Sequence, residues 1–317
     1  DVDVTRLAKF SLSDESIAEV DEKGLVVGRR RGQTAVVIRY RDFVASSQFT
    51  FVQDVPNFVW TDPTESNYVD RLVHQKLKQL QYPPSAPCDD ATFLRRLSLD
   101  TRGLLPSPEE ARQFHADNAV DRREKMIDRF LESPEHARYW GLKMADLLRI
   151  NREVLSPEQA GAYSRWVHES VESNRPYDQL VTELLTSIGS TNDSPAANYF
   201  RVTDETKKVA ESVAQVFMGS RIKCAQCHNH PYESWTQDNY YQIGSAFHEI
   251  DRAVAGKKKL PAPGVEVTIG RTPGRAMSNP RTGIVQKPWP TDVAQTDDDD
   301  KRIAFAKWLT AKDNRLF

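Results

Sequence analysis

Ser156-Pro157-Glu158-Gln159-Ala160-Gly161-Ala162-Tyr163-Ser164-Arg165-Trp166-Val167-His168-Glu169-Ser170-Val171 reads as a helix carrying its own start signal. The serine can accept from backbone amides of the first turn, proline fits the first helical position, and Gln159 can reach back to the serine amide. Tyr163, Trp166, Val167 and Val171 then recur at the spacing of one helix face. The same start chemistry stands at Ser107-Pro108-Glu109-Glu110, and in a weaker copy at Ser133-Pro134-Glu135, where His136 replaces the closing acid. Asp62-Pro63-Thr64-Glu65 predicts a further start, followed by Val69, Leu72, Val73, Leu77 and Leu80 as an apolar stripe at helical spacing. Met126, Ile127, Phe130 and Leu131 form one more apolar face, and Trp140, Met144, Leu147 and Leu148 another. Further helices are expected near 178–187 and 204–218, the latter stopped by Gly219, and a last one capped by Thr236 runs through Tyr240, Ile243 and Phe247. Residues 56–254 thus read as one helical domain with a shared core.

Residues 1–55 read differently. Ile17 to Val20 and Leu25 to Val27 flank Asp21-Glu22-Lys23-Gly24, where the glycine suits a tight hairpin. Val36-Val37-Ile38 and Gln48 to Val52 form a second strand pair, parted by a polar stretch at Arg41 and Asp42. The fold class is therefore mainly α, with an N-terminal β-sandwich fragment. Residues 255–300 lose all periodicity apart from a possible strand at Val265 to Ile269, and read as an irregular excursion or linker ending in the solvated acidic run Asp297 to Asp300. Residues 301–317 begin a new helix and read as the start of a further domain. Since position 1 is Asp1 and no leader precedes it, the chain reads as a piece of something longer.

Composition narrows the function. The 317 residues suit about two domains at roughly 150 residues each. Hydrophobic residues make up 39% and charged ones 28%, a globular balance with mean hydropathy -0.61. No apolar run is long enough to span a membrane. Forty-three basic residues against 45 acidic ones leave a formal charge of -2, which speaks against nucleic acid as a partner. Three cysteines are too few for a disulfide scaffold.

The chemistry sits in Cys224-Ala225-Gln226-Cys227-His228, followed by Asn229 and His230. Two thiols at this spacing can reach both vinyl groups of one haem and become thioethers, while the adjacent His228 lies under the iron as proximal ligand. Three other readings stay open. A zinc ion could use Cys224, Cys227 and His228 or His230, with a remote ligand such as His248. The pair could be a dithiol or disulfide, or simply buried and inert. For a sixth iron position Met277 is the thioether candidate and His248 the imidazole candidate. His230 is too close to His228 to reach the opposite ring face, and could instead bind a second metal or a haem propionate. Trp235, Tyr232, Tyr240 and Tyr241 crowd the motif as a haem wall or as plain core. Arg95, Arg96, Asp100, Asp146, Arg149 and Arg175 read as internal ion pairs, and Lys257-Lys258-Lys259 as a solvated loop or a dock for an acidic redox partner. No Gly-rich phosphate loop, His-Glu-x-x-His helix or Gly-x-Ser-x-Gly elbow is present.

Two family resemblances attach to these residues. Ser16-Ile17-Ala18-Glu19-Val20-Asp21, with Gly24, Gly28, Gly32 and Ala35, resembles the bacterial Ig-like group 2 domain over residues 5–53, without that domain's first strands. Such domains serve as spacers or adhesion modules, which implies an extracytoplasmic location, periplasmic or at the cell surface. Phe217-Met218-Gly219, Ile222 to Pro231 and Trp235 to Tyr241 are similar to the planctomycete cytochrome-like domain of unknown function. Phe93 to Asp100 with Gly103 and Pro106 matches that family's early block, and Asn174 to Gln179 its middle, so the resemblance covers residues 63–250. The sequence departs from the family at His136, Ile150 and Asn151, and no site residue is carried over from that helix. Phe305 to Thr310 with Asp313 and Asn314 resembles the opening of the companion domain that follows, so the parent chain is expected to continue beyond Phe317.

The expected function is a haem-c-carrying electron-transfer module of an exported multidomain protein, passing electrons to a redox partner protein or an attached cytochrome module. The rival is a non-redox scaffold or binding protein stapled by zinc or a disulfide, and a third reading is part of an enzyme acting on a polymer.

Overall fold

Serines 107, 133 and 156 start helices as their sequences require. In the computed structural model, which describes residues 2–41, 43–230, 233–253 and 263–316, Ser107 and Ser156 each close a reciprocal capping box. At Ser133 the hydroxyl still accepts from the His136 amide. The His136 ring, unable to complete a box, turns away and bonds the Thr101 carbonyl through Nδ1 at 2.9 Å. The molecule is mainly α, 44% helical, with 11 α-helices among the described residues and small N-terminal sheets. It divides into two compact units, Asp1–Pro87 with Cys227–Thr236, and Cys88–Gln226 with Gln237–Phe317.

In the first unit, β1 (Lys9–Leu12), β4 (Gly32–Tyr40) and β5 (Phe43–Phe51) form an antiparallel sheet in the order β1-β4-β5. Between them in the chain, β2 (Ala18–Val20) and β3 (Val26–Gly28) form a hairpin pair with Val20 opposite Val26. Its turn is built by Asp21, whose carboxylate accepts from the Lys23 and Leu25 amides at 2.8 Å each, and by Gly24 at φ 81°. Among the described residues of 1–87, Ile17, Ala18, Thr34 and Val36 are buried, and the Phe51 ring lies where a side chain on Gly28 would stand. Asp42 lies outside the described residues.

The next helix, α1 (Tyr68–Gln79), departs from the expected start. Asp62 has φ 49°, a left-handed backbone that cannot serve as the extended cap, and Asn67 caps instead by accepting from Val69 N at 2.8 Å and Asp70 N at 3.2 Å. The expected stripe is turned out, with Val69, Leu72 and Val73 about half exposed. His74, Leu77 and Leu80 form the half-buried side, and the His74 ring meets Trp60 at 6.0 Å.

The second unit begins with α2 (Asp90–Arg102), α3 (Pro108–Ala116) and α4 (Arg122–Leu131). They enclose Leu94, Phe114, Met126 and Phe130. Removing such side chains from water contributes about 1.5–3 kcal/mol each. The Arg102 guanidinium lies 3.5 Å from the Phe130 ring centroid and is neutralised by Glu110. α5 (Pro134–Leu147) and α6 (Pro157–Glu172) pack closely because Gly141 faces the backbone of His168. The buried face of α5 is Ala137, Gly141 and Ala145, with Leu148 at its end. Trp140 and Leu147, expected in that face, are exposed, since small residues are what let two helix axes approach.

α7 (Tyr177–Thr186), α8 (Asn198–Val202), α9 (Thr206–Phe217) and α10 (Gln237–Phe247) carry the rest of the core, with Leu184, Phe200, Val213, Ile243 and Phe247 fully buried. A small sheet in the order β6-β8-β7 joins β6 (Gly189–Ser190), β7 (Ile250–Ala253) and β8 (Thr268–Arg271). Residues 254–262, including Ala255 and the lysine triplet, lie outside the described residues. From 263 onward the irregular stretch is packed onto the helices: Val267, Ile269, Asn279 and Gln286 are buried, and Thr191 and Val267 exchange hydrogen bonds. The expected strand is displaced to Thr268–Arg271, where it finds partners on both sides.

The C-terminal helix α11 (Lys301–Leu309), which the sequence reading assigns to a further domain, lies in this core. Phe305 and Leu309 are fully buried, and the Phe305 ring meets Phe247 at 5.0 Å. Asp300 is more than the end of a solvated run. It accepts from the Arg302 amide and pairs with its guanidinium, which is 2% exposed. Among the expected ion-pair residues, Arg175 pairs with Glu183, while Arg95, Arg96 and Asp100 are exposed.

Candidate functional site

The motif begins where α9 ends. Gly219 at φ 63° turns the chain, and the Ser220 amide returns to the Ala214 carbonyl. Ile222–Gln226 then forms a 3-10 turn. At three residues per turn, positions 222 and 225 fall on one side, and Ile222 and Ala225 are both buried in the helical unit. Lys223 and Cys224 are left on the exposed side. The Gln226 carbonyl ends the turn and takes two side-chain donors from α10, the Tyr241 hydroxyl at 3.1 Å and the Gln237 amide at 3.0 Å. The neighbouring Tyr240 hydroxyl donates to Glu211 on α9 at 2.9 Å.

Cys227 and His228 follow on the segment grouped with the first unit, and both are exposed. The thiols of Cys224 and Cys227 are free. His228 donates from Nδ1 to the Asn229 carbonyl at 2.7 Å, which leaves Nε2 outside that hydrogen bond. His230 is buried and occupied in closing a loop: its amide donates to the Trp235 carbonyl at 2.8 Å, and its Nδ1 accepts from the Glu233 amide at 3.0 Å. Pro231 and Tyr232 lie outside the described residues. Among the described residues, no three His, Cys, Asp or Glu side chains gather as a metal-holding group. Two exposed thiols and one imidazole with a free Nε2 are the donor set that a covalently attached haem needs, so the residues present fit that group.

A family model described as PSCyt2, a protein of unknown function (DUF1549), matches residues 68–252. The chain belongs to this family. No curated protein and no solved structure matches it. The PSCyt2 match includes the whole Cys-His motif and α10, and it ends before Met277. That methionine is 9% exposed, with its sulfur in the notch that Gly244 leaves on α10 and its amide donating to Ser245 Oγ at 2.9 Å. His248, the last sequence candidate inside the PSCyt2 region, is half-buried, and its Nδ1 lies 3.2 Å from the Thr206 hydroxyl. Burial and then the Arg275 charge push its pKa down. Both residues thus have local structural partners of their own.

Sequence reasoning marks Tyr240 and Tyr241 as haem wall or plain core and Gln237 only as part of a family block, and does not connect any of them to the Gln226 carbonyl. Each hydroxyl of the tyrosine pair is buried and donates, a role no local pattern announces. The one available signal is a Tyr-Tyr pair and a glutamine on a single short helix directly after the motif.

Proposed function

We propose that this chain is the haem-c-carrying, cytochrome-like electron-transfer module of an exported multidomain protein, matured outside the cytoplasm, and that the β unit is a bacterial Ig-like spacer. The reading is carried by one observation: Cys224 and Cys227 are free, exposed and two residues apart, and the imidazole of the next residue holds its proton on Nδ1. Each thiol would add across one vinyl group, forming a carbon–sulfur bond while the sulfur's hydrogen ends on the other vinyl carbon. His228 would bind iron through Nε2, and the Asn229 carbonyl behind it would hold the ring's orientation and raise its basicity. The haem would supply one-electron exchange with a redox partner or an attached cytochrome module. Met277 and His248 are the candidate sixth ligands of this reading; the Met277 sulfur lies in the Gly244 notch, and His248 Nδ1 lies 3.2 Å from the Thr206 hydroxyl. No helix among the described residues is long and apolar enough to cross a membrane.

The test is production with the periplasmic haem-attachment machinery. A Soret band that survives acid extraction is expected, together with a mass increase of one haem that Cys224→Ala/Cys227→Ala abolishes. Stoichiometric zinc without porphyrin, or a Cys224–Cys227 disulfide in material so matured, would favour the non-redox scaffold and overturn the proposal.

A further inference from the structure

We infer that Gln237 and Tyr241 are positioning residues for the thiol pair, acting through the Gln226 carbonyl. The purpose of this clamp rests on the haem reading above, but its existence rests on hydrogen bonds within the helical unit. Gln226 ends the 3-10 turn, where the run of backbone donors stops and a carbonyl must find partners elsewhere. Its oxygen has two lone pairs, and α10 supplies a donor for each, the Tyr241 hydroxyl and the Gln237 amide. Both donors are shut away from water, at 4% and 3% exposure, so solvent competes poorly for them. Tyr241 is itself held edge-on against Tyr240 at 5.1 Å, and Tyr240 is tied to α9 through Glu211.

The carbonyl that is gripped belongs to the peptide group joining Gln226 to Cys227. That group is planar, so fixing its oxygen also fixes the amide nitrogen of Cys227 and the direction in which the chain leaves the turn. On the other side, buried Ile222 and Ala225 fix the backbone that carries Cys224. The clamp therefore limits the backbone freedom between the two sulfurs. Both sulfurs must meet vinyl groups a set distance apart on one rigid ring, so limiting that freedom favours double attachment over single attachment.

The test uses Tyr241→Phe, which removes only the hydroxyl, Gln237→Glu, which removes the amide donor at constant size, and their combination. Tyr163→Phe is the control, a fully buried tyrosine hydroxyl on α6, outside the clamp. Two readouts are taken on the whole chain, well below its unfolding midpoint. The first is the fraction carrying two thioethers rather than one, by mass spectrometry after maturation with the attachment machinery. The second needs no haem: the equilibrium in which both thiols of the apoprotein pass two electrons to oxidised glutathione, giving the internal disulfide and two reduced glutathiones. A freed backbone has more conformations to lose on ring closure. The double variant should then lower this equilibrium constant about threefold or more, and cut double attachment comparably, while the control changes neither.

If the wild-type chain takes haem and the clamp variants match it in both readouts, the positioning role is overturned and the haem reading stands. If the wild type takes no haem but the clamp variants still shift the glutathione equilibrium, the haem reading fails and the clamp stands.

Discussion

Glu110 serves two partners at once. One carboxylate oxygen accepts from the Ser107 amide at 2.7 Å, and the carboxylate also takes a two-point grip from Arg102 at 2.8 and 3.2 Å. Arg102 first, and then the Ser107 amide, outweigh partial burial and hold the Glu110 pKa down at about 2, against 4.5 for the free group. Because the folded value is the lower one, the stabilisation is complete above about pH 4.5 and is lost as pH falls towards 2. Glu110→Gln should cost about 1–3 kcal/mol at neutral pH, by leaving Arg102 unpaired over Phe130. It should also flatten the fall in stability between those two pH values. Urea unfolding at a series of pH values checks this, and parallel acid losses in both proteins would contradict it. At this scale the sequence shows the capping box outright, because Ser107 and Glu110 are three residues apart. Arg102 is invisible as their partner, since it lies on the preceding helix and is reached only through a turn at Gly103, φ 71°.

Helix identity comes from short-range chemistry, but the face a helix buries does not. For α5 the apolar periodicity favours Trp140, Met144, Leu147 and Leu148, whereas the packed side is Ala137, Gly141 and Ala145 leading to Leu148. A Cβ on Gly141 would stand 3.3 Å from the His168 Cα, tighter than ordinary contact. Gly141→Ala should be nearly neutral, because about 1 kcal/mol of helix propensity offsets the contact. Gly141→Val should cost about 1–3 kcal/mol, since its branches meet α6 backbone that cannot rotate away. Denaturant midpoints of the two variants make the comparison, and a stabilised valine variant would sink it. The same reasoning covers α1, whose apolar Val69, Leu72 and Val73 face outward although their spacing is that of a core stripe. Periodicity shows that one face differs from another; the neighbour selects which is covered.

Across the whole molecule, the C-terminal third shows what local patterns miss. Residues 263–300 are poor in regular structure, yet β8 and the buried Val267, Met277, Asn279 and Gln286 bind them to the helices. α11 follows as part of the same unit and covers Phe247 with Phe305. Phe305 and Leu309 are each worth about 1.5–3 kcal/mol in buried area, against roughly 5–15 kcal/mol for a whole domain. Truncation after Asp299 should therefore abolish a cooperative thermal transition of the helical unit and expose dye-binding apolar surface. An unchanged melting curve by circular dichroism would show that α11 is dispensable. The sequence by itself determined the helix starts at Ser107, Ser133 and Ser156, the hairpin at Gly24 and the predominance of α-structure, because each is written within a few neighbouring residues. Only the tertiary structure decided which faces are buried, that α11 belongs to the helical core, and that α10 grips Gln226. These depend on residues far apart in the chain, 15 positions for Tyr241 to Gln226, 76 for Val267 to Thr191 and 115 for Arg302 to Ser187, and no local pattern encodes such a meeting.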